Sequence, residues 1–180
     1  VSVVSPPTLT GDSCLSVWIK ASTNPAVAGI LSSKNYSNNA NSFSLQNRSG
    51  NIYFALYDSG STYKIGNFTP STALIDNWNH IAVVIDTVAT DARIYFNKSL
   101  ALTVDLSASS VDISDIVNGF SISGYSTNSS LPAVLNFFDG EISNAQIFNT
   151  ALSSTEIETL YNYGSPIKTL ANIPQSSNLK

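Results

Sequence analysis

Two carboxylates, Asp139 and Glu141, flank Gly140 in the stretch FFDGEISNAQIFNTALSSTEIETLYNYG at residues 137–164. Residues two apart on an extended chain point to one side. Paired carboxylates are the groups that hydrolyse a glycosidic bond, with acid and nucleophile about 5 Å apart in the retaining case. On the strands the chain offers only this one pair in such spacing, so no residue is assigned a catalytic role and the pair reads as solvated carboxylates at a strand edge. The sole cysteine, Cys14, and the sole histidine, His80, raise a second chemistry, since a thiolate nucleophile needs an activating base. Cys14 lies in the apolar-flanked run SCLSVWIK and reads as small buried packing, with no partner for an intrachain disulfide. With no second histidine and no cysteine at metal-ligand spacing, His80 reads as structural. Tyr53, Tyr57 and Tyr95 each lie opposite the core-facing residues of their own strands. Aromatic rings on an outer sheet face can stack on sugar rings, so these three are the candidate ligand-binding residues. Cover for the sheet, or a seat for a neighbouring domain, is the alternative.

The elements that must position these groups are short strands. From residue 9 to about residue 148 the dominant period is two, punctuated by Gly, Asn, Ser and Asp. In CLSVWIK, Leu15, Val17 and Ile19 alternate with Ser16, Trp18 and Lys20; in SFSLQN, Phe43 and Leu45 alternate with Ser42, Ser44 and Gln46. HIAVVIDT is apolar on both sides, which predicts a central strand covered above and below. ARIYFNKSLALTVDL reads as a hairpin turning at Asn97 and Lys98. In the closing stretch, Ile142 has the opposite parity to Ala145 and Ile147, so a bulge near Ser143 and Asn144 is needed to bury all three. A helix follows with full punctuation: Ser153 as N-cap, Glu156 completing a capping box, Leu152 and Ile157 as hydrophobic staple, Gly164 as a left-handed stop and Pro166 beyond it. Many strands and one helix predict an all-β fold, a two-sheet antiparallel β-sandwich with one short C-terminal helix. It should occupy residues 1–164, with 165–180 an extended C-terminal connector.

The 180 residues can bury a core without cross-links. Formal charge is −4 with only 11% charged residues, and the Lys and Arg are scattered singly. That excludes a phosphate-binding footprint, so no nucleic-acid partner is expected. No apolar run approaches the roughly 20 residues of a spanning helix, so no membrane insertion is expected. Methionine is absent, and the chain reads as part of a longer polypeptide.

Four stretches in order, LTGDSCLSVWIK, DNWNHIAVVID, ARIYFNKSLA and FFDGEISNAQIFNTALSSTEIETLYNYG, resemble the laminin-G-like jelly-roll domains of the concanavalin A-like lectin/glucanase superfamily. The resemblance spans residues 9–163. It implies a jelly roll whose Gly-containing last strand is followed by an aromatic-Asn-x-x-Leu-Ser turn and a short helix, and it places His80 in a Trp-x-His piece whose ring braces a loop or strand end. Glycosidases of the superfamily carry two glutamates and an aspartate at alternate positions of one strand, a set this chain lacks. Relatives often hold Ca²⁺ at the rim of the sandwich; here the implied ligands are Asp139 and Asp12, although Ser143 and Asn144 stand where many relatives have an acidic pair. The expectation is a non-catalytic, glycan-binding recognition module of a larger extracellular or virus-particle protein. The rivals are a decoration domain of a phage or virus particle, whose partner would be protein, and a glycoside hydrolase.

Overall fold

Alternating apolar and polar side chains produce two stacked antiparallel sheets. The computed structural model describes residues 2–3, 11–33, 42–57, 63–107, 120–126 and 134–166. Within these, the strands are β1 (Ser2–Val3), β2 (Ser13–Ala21), β3 (Ala28–Ser33), β4 (Ser42–Arg48), β5 (Asn51–Tyr57), β6 (Tyr63–Phe68), β7 (Asn79–Asp86), β8 (Asp91–Phe96), β9 (Ser99–Asp105), β10 (Phe120–Ile122), β11 (Tyr125–Ser126), β12 (Val134–Leu135) and β13 (Gly140–Phe148), followed by the helix α1 (Ser154–Gly164). One sheet has the order β1-β10-β3-β4-β5-β6 and the other β13-β2-β7-β8-β9, with β11 and β12 paired separately. The expected loop tips at 37–42 and 126–130 fall largely outside the described residues, as does the connector from residue 167 onward.

The core lies between the sheets. Leu15, Val17 and Ile19 of β2 and Ile81, Val83 and Ile85 of β7 meet Phe43 and Leu45 of β4 and Ile52, Phe54 and Leu56 of β5. As expected, β7 is central, between β2 and β8, and its other face sends Ala82 and Val84 into a second apolar cluster with Leu152 and Ile157 beside the helix. The open edges of β6 and β9 approach each other at Gly66. A Cβ there would fall 2.8 Å from a methyl of Val104 and 2.9 Å from methyls of both Ile94 and Leu102, so any larger residue would have to displace these side chains.

The expected turns and irregularities form. Asn97 and Lys98 both take positive φ, 47° and 67°, the backbone of a type I′ hairpin. The register of β13 on β2 shifts between Ser143 and Gln146, with Asn144 left-handed, and Ile142, Ala145 and Ile147 all pack on the core. Ser153 accepts from the Glu156 N–H while the Glu156 carboxylate accepts from the Ser153 N–H at 2.8 Å, closing the capping box. The expected left-handed stop does not form: the helix runs through Gly164, which lacks positive φ. Close approach accounts for this glycine instead, because a Cβ would stand 3.1 Å from Trp18 Nε1.

Candidate ligand-binding face

A two-residue turn builds the site. Ser49 and Gly50, at φ 51° and 85°, close the β4–β5 hairpin, and the Asn47 carboxamide accepts from the Gly50 N–H at 2.9 Å. This sets Arg48 opposite Asn51, Gln46 opposite Tyr53 and Ser44 opposite Ala55. Across β6, Tyr53 faces Asn67 and Tyr57 faces Tyr63. Because Ile52, Phe54 and Leu56 turn into the core, Tyr53 and Tyr57 share the outer face of the six-stranded sheet. They are about 13 Å apart along the strand.

The middle of this face is polar and shielded from solvent. Ser32, Ser42, Ser44, Gln46 and Ser121 are all buried, so the polar half of SFSLQN is no solvent face. Ser32 satisfies its hydroxyl by donating to the Gly124 carbonyl at 3.0 Å. The accessible groups lie at the hairpin end: half-buried Arg48, Asn51 and Tyr53, with Asn67 and Thr69 exposed. They are tied together. Arg48 Nε donates to Gln46 Oε1 at 2.6 Å, Gln46 Nε2 donates to Ser44 Oγ at 3.0 Å, and Thr69 Oγ1 donates to Asn51 Oδ1 at 2.7 Å. The guanidinium carbon of Arg48 sits 3.6 Å from the Tyr53 ring centroid, a cation–π contact worth about 0.5–1 kcal/mol. One face of Tyr53 is thereby taken by Arg48, so the surface offered to a ligand there is a guanidinium resting on a phenol ring.

Tyr95 does not join its two proposed companions. It belongs to β8 in the other sheet and is only 5% exposed, packed with Cys14, Ala82, Val84, Leu152 and Ile157. The terminal helix covers the face that strand alternation had marked as outer. Under the same cover lies the nearest approach to a nucleophile and base, His80 Nε2 at 2.9 Å from Ser16 Oγ. Both residues are fully buried, His80 Nδ1 has no hydrogen-bond partner among the described residues, and burial pushes the imidazole down to about 4. A weak base sealed from solvent and oriented by no carboxylate has no route to substrate. Trp18 and Tyr161 pack on it at centroid distances of 5.3 and 6.1 Å, so His80 braces the helix against β2 and β7. Cys14 is equally inert: burial, and then the charge of Glu156, push its thiol up to about 12.

The two proposed calcium ligands are not brought together. Asp12 immediately precedes β2, whereas Asp139 immediately precedes Gly140, which pairs with Ala21 at the far end of β2. Nine residues of strand separate them by roughly 30 Å. Each has a local partner. The Thr87 hydroxyl and N–H donate to Asp12 Oδ1 at 2.6 and 2.8 Å and hold its carboxyl below the usual range, and Thr23 donates to Asp139 Oδ2 at 2.8 Å. Calcium takes six to eight oxygens, and no cluster of three acidic, His or Cys side chains occurs among the described residues. Asp12 and Asp139 therefore do not fit one shared ion. Glu141 forms an ion pair with Lys20 on β2.

A laminin G-type family described as the Concanavalin A-like lectin/glucanases superfamily matches residues 1–158. The chain belongs to this superfamily. No curated relative matches it. Among solved structures it is similar to the CBM40 of the Ruminococcus gnavus IT-sialidase bound to α2,3-sialyllactose, at 20% identity and TM-score 0.69 over 84% of this chain and 83% of that one. It is also similar to the botulinum neurotoxin serotype G binding domain, at 20% identity and TM-score 0.64 over 86% of this chain. The ligand-binding domain of botulinum neurotoxin serotype D in complex with N-acetylneuraminic acid matches at 21% identity and TM-score 0.61 over 84% of this chain. This chain spans 36% of the length of each of those two toxin chains.

Within this concanavalin A-like sandwich, Arg48, Gln46, Asn51 and Asn67 are the site residues that strand alternation alone did not single out. The signal was the dipeptide Ser49-Gly50, whose positive φ values fix which residues of β4 and β5 stand side by side. A second recess, of about 260 Å³, opens at the β6–β9 edge and is lined by Phe68, Phe96 and Leu100 with Thr69, Ser71, Ser99 and Ala101. Its lining holds no acid, base or thiol, so it offers apolar contact and three hydroxyls but no catalytic group.

Proposed function

We propose that this superfamily member is a recognition module that binds glycans on the outer face of the six-stranded sheet and does not hydrolyse them. The observation that carries the reading is the hairpin-end patch, where Arg48, Tyr53, Asn51 and Asn67 present fixed donors, acceptors and a ring on a rigid sheet. Sugars are held by such combinations of directed hydrogen bonds and aromatic surface. Two of the similar structures carry sialylated or sialic acid ligands, which supports the same class here. The Lys20–Glu141 ion pair and the separate Thr23–Asp139 hydrogen bond support a structural role for Asp139 and Glu141.

A glycan array followed by titration tests this. The expected result is saturable binding that weakens at least tenfold in Tyr53→Ala and in Asn67→Ala, with no reducing ends released from any polysaccharide. Binding unchanged in both variants would move the site elsewhere, and hydrolysis that vanishes in Glu141→Gln would make the protein an enzyme.

A further inference from the structure

Arg48 bears on which sugars the face takes. Lys20 meets Glu141, Arg93 meets Asp86 and Asp91, and Lys98 meets Glu158. Arg48 meets no carboxylate among the described residues, although the chain carries a formal charge of −4. Its position is nevertheless fixed. The ring of Tyr53 lies under the guanidinium plane, and Nε is held by Gln46, a fully buried carboxamide that is itself anchored on Ser44. The two terminal nitrogens, Nη1 and Nη2, make no hydrogen bond to described residues. A half-buried cation with one edge engaged and, among the described residues, the opposite edge bare and no counter-charge is an incomplete ion pair.

We propose that Arg48 is a carboxylate anchor and that the face selects acidic sugars, whose carboxylate pairs side by side with the Nη edge of the guanidinium. The inference rests on the glycan reading and specifies its ligand class. Arginine suits the role because its planar fork matches a carboxylate with two parallel bonds, and charge-assisted bonds are about twice as strong as neutral ones. Stacking on Tyr53 and the bond to Gln46 hold the fork in place beforehand, so little side-chain entropy is lost on binding. Asn51, opposite Arg48 on β5, and Asn67, opposite Tyr53 on β6, lie one and two strands from Arg48 on the same face, placed to meet ring hydroxyls. Neutral sugars would leave the guanidinium edge facing hydroxyls alone, with its charge unmatched.

The test is calorimetric titration with sialyllactose, its carboxyl methyl ester, lactose and sulfated lactose, and with a glucuronic acid disaccharide beside its carboxyl-reduced form. At least one carboxylate ligand is expected to bind tenfold or more tightly than its neutral counterpart, with affinity falling as salt rises. R48Q should remove that preference, leaving acid and ester equal, and R48K should restore only part of it. The ester comparison alters the ligand alone, so it stands even if a variant folds poorly. Equal binding of acid and neutral forms, or an R48Q variant that keeps the preference, overturns the anchor while leaving the glycan reading intact. Tighter binding of sulfated lactose than of every carboxylate ligand also overturns it. If neither these ligands nor the array give any binding, the glycan reading falls and the anchor falls with it.

Discussion

The imidazole of His80 is neutral at pH 7, enclosed by Ser16, Trp18 and Tyr161, with burial holding it down to about 4. An unfolded chain takes up that proton near pH 6.5. Between about 6.5 and about 4 the unfolded state therefore binds more protons than the folded state, so stability rises with pH across this window and is lost as pH falls through it. Below about 4 both states are protonated and this contribution is flat. Its full size is about 3 kcal/mol, since every tenfold loss of proton affinity on folding is worth about 1.4 kcal/mol. Asp12, whose carboxyl is lowered by the Thr87 hydroxyl, and Glu156, lowered by the Ser153 N–H, add losses of the same sign at lower pH, below the ordinary carboxylate range. The measurement is urea unfolding at pH 7.5, 6, 5 and 4 for the wild type and for His80→Gln, with the two profiles subtracted. The difference should grow toward high pH across the window. Parallel profiles would mean that His80 keeps an ordinary affinity for protons in the fold.

Strand β13 depends on Gly140, which sits at φ 148° with the carbonyl of Lys20 so near that an added Cβ would be 2.2 Å away, and the Cα of Ala21 at 2.9 Å. Both obstacles are backbone of the adjacent strand and cannot rotate aside, so Gly140→Ala should cost about 3 kcal/mol or more, or prevent folding. Gly11 supplies the contrast. It also has positive φ, 95°, but the nearest atom to its Cβ is Thr87 Oγ1 at 3.9 Å, so Gly11→Ala should cost only the backbone term, about 1 kcal/mol. Chemical denaturation of both variants decides the matter, and equal losses would remove the steric account. The capping box, the β13 bulge and the Asn97-Lys98 turn were legible because each is written within a few neighbouring residues. Gly164 was misread for the opposite reason: its role comes from Trp18 on another strand, which no local pattern records. Tyr53 and Tyr95 alternate identically within their own strands, and only the docking of the helix separates a half-exposed ring from a buried one. Likewise, nothing in the spacing of Asp12 and Asp139 reveals that antiparallel pairing puts them at opposite ends of β2.

The two outer faces of the molecule differ in how they are covered. On the five-stranded sheet, Cys14, Ala82, Val84 and Tyr95 are closed over by Leu152 and Ile157. On the six-stranded sheet the hairpin end stays accessible and carries Arg48. The core and two sheet layers about 10 Å apart lie between these faces. Side chains separated by more than about 7–10 Å with no shared partner contribute additively. Ile157→Ala should therefore cost about 2–5 kcal/mol of stability and, at temperatures where the variant is folded, leave glycan affinity within about twofold. R48Q should do the reverse, changing affinity, with about 1–3 kcal/mol of stability lost with the cation–π contact and the hydrogen bond to buried Gln46. The double variant should then show the sum of the two stability changes to within about 0.5 kcal/mol and the affinity of R48Q alone. A non-additive double variant, or an Ile157→Ala protein that is folded but has lost affinity, would mean that the two sheets transmit strain across the core and that the helix helps shape the binding face.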